Sequence, residues 1–120
     1  QLLLGWSPHC LGVDLEPADR LVRGEALWLR LCPGEPPPAR LAEGVLQRWV
    51  ALEAVIKRRR SSVAVELGQW SFLLDQSRAL HRDRQQDVDV VVQRHWLQGR
   101  SWWVAWSGGE MPAVVSDEDG

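Results

Sequence analysis

The chain has 120 residues, 45% hydrophobic and 25% charged, with a formal net charge of −2. That length suits one domain with a modest core, and the balanced charge excludes the broad basic field of a nucleic-acid-binding protein. No apolar run reaches membrane-spanning length, and Gln1–Leu4 leads straight into Gly5, Trp6, Ser7 and Pro8 rather than a leader's apolar core, so a cytoplasmic protein with no membrane contact is expected.

In chain order, Gln1 to Trp6 reads as a short strand and Ser7-Pro8-His9 as a turn. Cys10 and Cys32 lack metal-ligand spacing and are expected to be a reduced pair. Cys10 to Glu16 alternates, with Leu11, Val13 and Leu15 on one face and Asp14 and Glu16 on the other, so the first two segments are expected to pair as a hairpin. Pro17 suits a turn or a helix start, and a helix is predicted over 19–31. The run Cys-Pro-Gly-Glu-Pro-Pro-Pro at 32–38 must end it.

Residues 39–60 form the clearest element. Leu41, Val45, Trp49, Leu52 and Ile56 recur at three- and four-residue spacing, which predicts an amphipathic helix. Ser61 to Gly68 reads as a transition with a β-prone piece. Strands are predicted at 70–74 and 87–96, the latter closing as a hairpin with 101–107. The expected fold class is α+β: a small, mostly antiparallel sheet with two helices packed on one face. The domain is expected to occupy residues 1–107, with 108–120 as a flexible acidic tail.

Three carboxylates carry the chemistry: Asp14 and Glu16 on the strand, Glu53 on the long helix. Carboxylates at i and i+2 of a strand project from one face, and they repel unless a cation lies between them. Magnesium suits such a set, because it takes a few protein oxygens together with water and phosphate. Lys57, one turn beyond Glu53, is placed to neutralise phosphate charge. From spacing alone, the plainer reading is the stronger: Asp-x-Glu as a solvated strand edge, and Glu53 with Lys57 as an ordinary helix pair contributing about 0.3–0.5 kcal/mol. Arg58, Arg59 and Arg60 complement the helix dipole. His9 is expected in a turn, His81 and His95 exposed, and Trp102, Trp103 and Trp106 in the core and on the sheet surface, with nothing basic interleaved.

The wording of two segments says more. Leu11-Gly12-Val13-Asp14-Leu15-Glu16 resembles the first signature of the 4′-phosphopantetheinyl transferases, (V/I)-G-(V/I)-D-(I/L)-E. Trp49-Val50-Ala51-Leu52-Glu53-Ala54-Val55-Ile56-Lys57 is similar to the second, W-x-x-K-E-(A/S)-x-x-K. Arg20 fits a common extension of the first, and Leu31-Cys32-Pro33-Gly34-Glu35 resembles the family's pre-helix segment. The likeness spans about Leu3 to Ser107.

The resemblance implies Mg²⁺-dependent transfer of the 4′-phosphopantetheine arm of coenzyme A, the substrate, to a serine of an acyl or peptidyl carrier protein, the partner. It implies that Asp14, Glu16 and Glu53 bind Mg²⁺, that Glu53 deprotonates the serine, and that Lys57 binds the pyrophosphate and stabilises the departing group. Two departures stand out: Leu52 replaces the family's Lys, and Arg58-Arg59-Arg60-Ser61-Ser62 replaces a run that often includes Gly. The longer members carry a Ser-His-Ser segment upstream of the first signature, so the sequence is expected to begin within a two-lobed enzyme. Either as such a lobe or as a holo-acyl-carrier-protein synthase-like subunit, it is expected to self-associate as a homo-oligomer. The alternative is a non-catalytic lobe that binds only a carrier protein or a second copy.

Overall fold

A long helix organises the chain. In the computed structural model, which describes residues 2–4, 12–20, 22–83, 86–108 and 113–115, α2 runs Leu41–Arg59. Val45, Leu46, Val50, Ala51, Leu52, Ala54, Val55 and Ile56 on it are buried. This is more of the circumference than the single predicted stripe, because the helix has neighbours on several sides. On one side lie strands β2, Gly12–Pro17, and β7, Arg100–Ser107. On others pack α1, Gly24–Leu31, and the one-turn helix α3, Val63–Glu66. Trp28 and Leu31 of α1 join its core.

The fold is α+β with antiparallel pairing throughout the described strands, but the strands form three sheets rather than one. The first has the order β2-β7-β6, with β6 at Val91–Leu97. The second has the order β3-β4-β5, at Trp70–Leu73, Arg78–His81 and Asp87–Asp89. The third pairs β1, Leu2–Leu4, with β8, Ala113–Val115. Trp70, Phe72 and Ala79 of the second sheet share one core with α2 and with Trp103 and Ala105 of β7.

Five expectations are corrected. β1 does not form a hairpin with β2: β1 pairs with β8, and β2 pairs with β7, Asp14 opposite Ala105 and Glu16 opposite Trp103. Residues 113–115, expected in a tail, are therefore in a sheet, while 116–120 lie outside the described residues. The helix predicted from 19 starts at Gly24, because Pro17 ends β2 and its carbonyl accepts the Arg20 N–H in a turn. The transition at 61–68 contains α3, whose Ser62 hydroxyl caps the Val65 N–H. The single strand predicted at 87–96 is split by Val90, which is fully buried and passes the chain from the second sheet to the first. The β6–β7 hairpin is as expected; its Gln98-Gly99 turn has φ of 53° and 70°, the left-handed pair that matches strand twist.

The end of α2 is closed by a double hydrogen bond. Ser61 N–H donates to the Ile56 carbonyl and Arg60 N–H to that of Lys57, the Schellman arrangement, with Arg60 at φ 53° where glycine is preferred.

Candidate functional site

The site begins where β2 lies directly on α2. A Cβ on Gly12 would stand 1.7 Å from the Ala54 carbonyl oxygen and 2.6 Å from the Arg58 nitrogen. Glycine alone lets the two backbones approach this closely. Strand alternation then aims Asp14 and Glu16 from the same face as Gly12, toward the helix. Lys57, between the two helix residues that Gly12 faces, meets the first of them: its Nζ donates to Asp14 Oδ1 at 2.9 Å. Glu16 accepts an ion pair from Arg20 Nη1 at 2.8 Å. Glu53 lies one turn before Lys57 along the helix.

The Asp14 side chain is only 13% exposed. Its Oδ2 is buried and has no hydrogen-bond partner among the described residues. Burial pushes the carboxyl above the usual carboxylate range; the Lys57 hydrogen bond and charge oppose this without overcoming it, and the Glu16 charge adds to it. Glu53 is also raised, first by burial, then by the Asp14 charge, with Lys57 opposing and Glu16 adding. The three acids therefore share one field, and both shifts carry the sign of negative charge held in too little water.

The predicted residues suit magnesium in part. Among the described residues, no three acidic, histidine or cysteine side chains stand close enough to hold a metal ion together. Asp14 is engaged by Lys57 and Glu16 by Arg20. Magnesium, however, is usually held by one or two carboxylates, with water and substrate phosphate completing its shell. Asp14, with its spare oxygen, and Glu53 fit that smaller demand.

The other sequence candidates mostly find structural partners. Leu52, at the position of the family's lysine, is fully buried. Arg58 donates to the Asp89 carboxylate at 2.8 Å and to Ser107 Oγ at 3.1 Å. Arg59 donates to Glu66 at 3.3 Å and to Gln86 at 3.0 Å, with its guanidinium over the Trp70 ring. These two are therefore tied down by structural partners. His81 is buried against the Trp70 edge, correcting the expectation of exposure, and His95 is half-buried beside Gln93. Trp103 and Trp106 are buried and Trp102 half-buried, but Arg94 stacks over Trp103 and Arg100 over Trp102. The cations absent from the Trp run itself thus come from the paired strand and the strand start. Cys32 is a free, buried thiol, pushed up to about 11 chiefly by burial. Glu35 accepts the Trp28 indole N–H on its carbonyl and Arg82 on its carboxylate. His9 and Cys10 lie outside the described residues.

The feature that spacing alone did not reveal is the contact at Gly12. Its only trace in the sequence is a glycine inside an alternating strand, the usual mark of close backbone approach. Comparison with protein-family models, curated proteins and solved structures gives no match in any of the three.

Proposed function

We propose that the β2–α2 site serves a 4′-phosphopantetheinyl transferase, moving the phosphopantetheine arm of coenzyme A to a serine of an acyl or peptidyl carrier protein. The observation that carries this reading is the meeting of the two signature segments: Asp14 and Lys57, 43 positions apart, are bonded at 2.9 Å, with Glu53 in the same field. A bound Mg²⁺ would supply charge neutralisation at the coenzyme A pyrophosphate, held by Asp14, Glu53 and, on displacement of Arg20, Glu16. Glu53, made more basic by its surroundings, takes the proton of the carrier serine. The serine oxygen forms a bond to the phosphorus that bears the pantetheine arm. The bond from that phosphorus to the bridging oxygen breaks, and adenosine 3′,5′-bisphosphate leaves with its charge met by Lys57.

Arg20, Arg23 and Arg30 line a shallow groove with Val22, Ala26 and Leu27. Three guanidinium groups around an apolar floor suit an acidic protein partner. Coenzyme A and carrier proteins both favour a cytoplasmic setting; no described helix is long and apolar enough to cross a membrane.

The test is mass spectrometry of an apo carrier protein incubated with the chain, coenzyme A and Mg²⁺. The expected result is the gain of one phosphopantetheine arm, reduced at least about 100-fold by Asp14→Ala or Glu53→Ala. A second reading, a non-catalytic lobe that binds a carrier protein or another copy of itself, is favoured by the burial of Leu52 where the family places a lysine. Carrier capture without any mass gain selects it.

A further inference from the structure

Lys57 is more than a phosphate-facing cation. Its ammonium is bonded to the one acid of the site with a buried, unpartnered oxygen, and it also acts electrostatically on Glu53. It therefore already supplies positive charge where the proposed cation would bring it. A divalent ion arriving beside a fixed ammonium is repelled by it. The lysine is also able to leave: its side chain is 51% exposed and sits in the last turn of α2, on a flexible stem ending in a compact charge with three donors. Glu16 is already paired with Arg20.

We propose that Lys57 is a built-in competitor for the cation, holding Asp14 until a diphosphate draws the ammonium away, so that metal binds tightly only together with the diphosphate. This rests on the metal-site reading above and adds to it an order of events. Magnesium alone finds the acid occupied. A diphosphate gives Lys57 a stronger, charge-assisted partner, and the same displacement frees both Asp14 oxygens for the ion.

The experiment is an equilibrium titration of the full chain with Mn²⁺ alone, the free ion counted by electron paramagnetic resonance. Wild type is compared with Lys57→Gln, Lys57→Arg and Asp14→Asn. Removing the ammonium is expected to tighten Mn²⁺ binding about fivefold in Lys57→Gln, while Lys57→Arg, which keeps the charge, stays as weak as wild type. In a parallel thermal-shift measurement, magnesium pyrophosphate is expected to raise the melting temperature beyond magnesium alone, and more so in wild type than in Lys57→Gln. If Lys57→Gln binds Mn²⁺ no more tightly than wild type while Asp14→Asn abolishes binding, the competition is overturned and the metal site stands. If neither wild type nor Lys57→Gln binds Mn²⁺, the metal-site reading falls and the competition with it.

Discussion

Asp14 and Glu66 are both acids set into the protein beside a basic residue of α2, yet they behave in opposite ways. Glu66 is only 2% exposed. It accepts the Trp70 indole N–H at 2.6 Å and Arg59 at 3.3 Å, and Ser61 adds a further hydrogen bond. Burial opposes its charge most strongly, but these partners together hold the carboxyl below its ordinary value. Asp14 is less deeply buried, keeps one oxygen without a partner, and is raised. The difference teaches that burial does not decide what an acid is for; the completeness of its hydrogen bonding does. Glu66 is finished, and it joins α3, α2 and β3. Asp14 is paired with Lys57 through one oxygen and leaves the other without a partner among the described residues.

The comparison can be broken at its foundation first. Gly12→Ala drives a methyl into the α2 backbone and should cost about 3 kcal/mol in urea unfolding; a smaller loss would mean that the strand can lift from the helix without harm. Glu66→Ala strands the indole N–H and Arg59 and should cost about 2 kcal/mol, whereas Glu66→Gln, which can still accept the indole hydrogen, should recover part of it. Arg60→Gly relieves the left-handed residue that ends α2 and should add about 1 kcal/mol of stability, read as a rise in melting temperature.

The smallest effect is the sharpest. Asp14→Asn removes a poorly solvated charge whose lysine partner is half exposed, so at neutral pH the fold should gain about 0.5 kcal/mol even as the proposed metal binding is lost. The pH dependence carries the same contrast. Glu66 and Asp89 are lowered, so their stabilisation is present above the ordinary values of 4.5 and 3.8 and is lost as pH falls through the folded-state values. Asp14 and Glu53 are raised. The folded chain keeps their protons after the unfolded chain has released them, so stability falls as pH rises from the ordinary toward the raised values. Urea unfolding between pH 3 and pH 6 should therefore show a shallower acid loss for Glu66→Gln and a steeper one for Asp14→Asn.

Much of this contrast was legible in the sequence, but unevenly. The three- and four-residue spacing of Leu41, Val45, Trp49, Leu52 and Ile56 located α2 within two residues of each end, and the Val-rich run with the turn at 97–100 located the last hairpin. Asp14 and Glu16 were assigned to one face by alternation alone. What periodicity could not supply was partnership. Nothing local tells β1 that its neighbour lies 111 positions away, Leu4 opposite Ala113 being the nearest pair in sequence at 109, because backbone pairing is the same chemistry for every strand. The α3 turn was hidden by Val63 and Val65, which favour strands, and only the Ser62 cap marks it. β4 at Arg78–His81 was missed because Arg-Ala-Leu-His holds no β-branched or large aromatic residue to mark a strand. Glu66 gave no sign of its role, since its partners come from α2, from the link after it and from β3.

Val90 gives the molecule a property that neither sheet has alone. It is the single residue between β5 and β6, its N–H is bonded to the Ser77 carbonyl, and the Asp89 carboxylate before it grips Arg58. A joint one residue long, buried and bonded on both sides, has no slack to act as a hinge. Arg58, which Asp89 holds, is the neighbour of Lys57 on α2, so the joint between the two sheets and the Asp14 contact meet on the last turn of one helix.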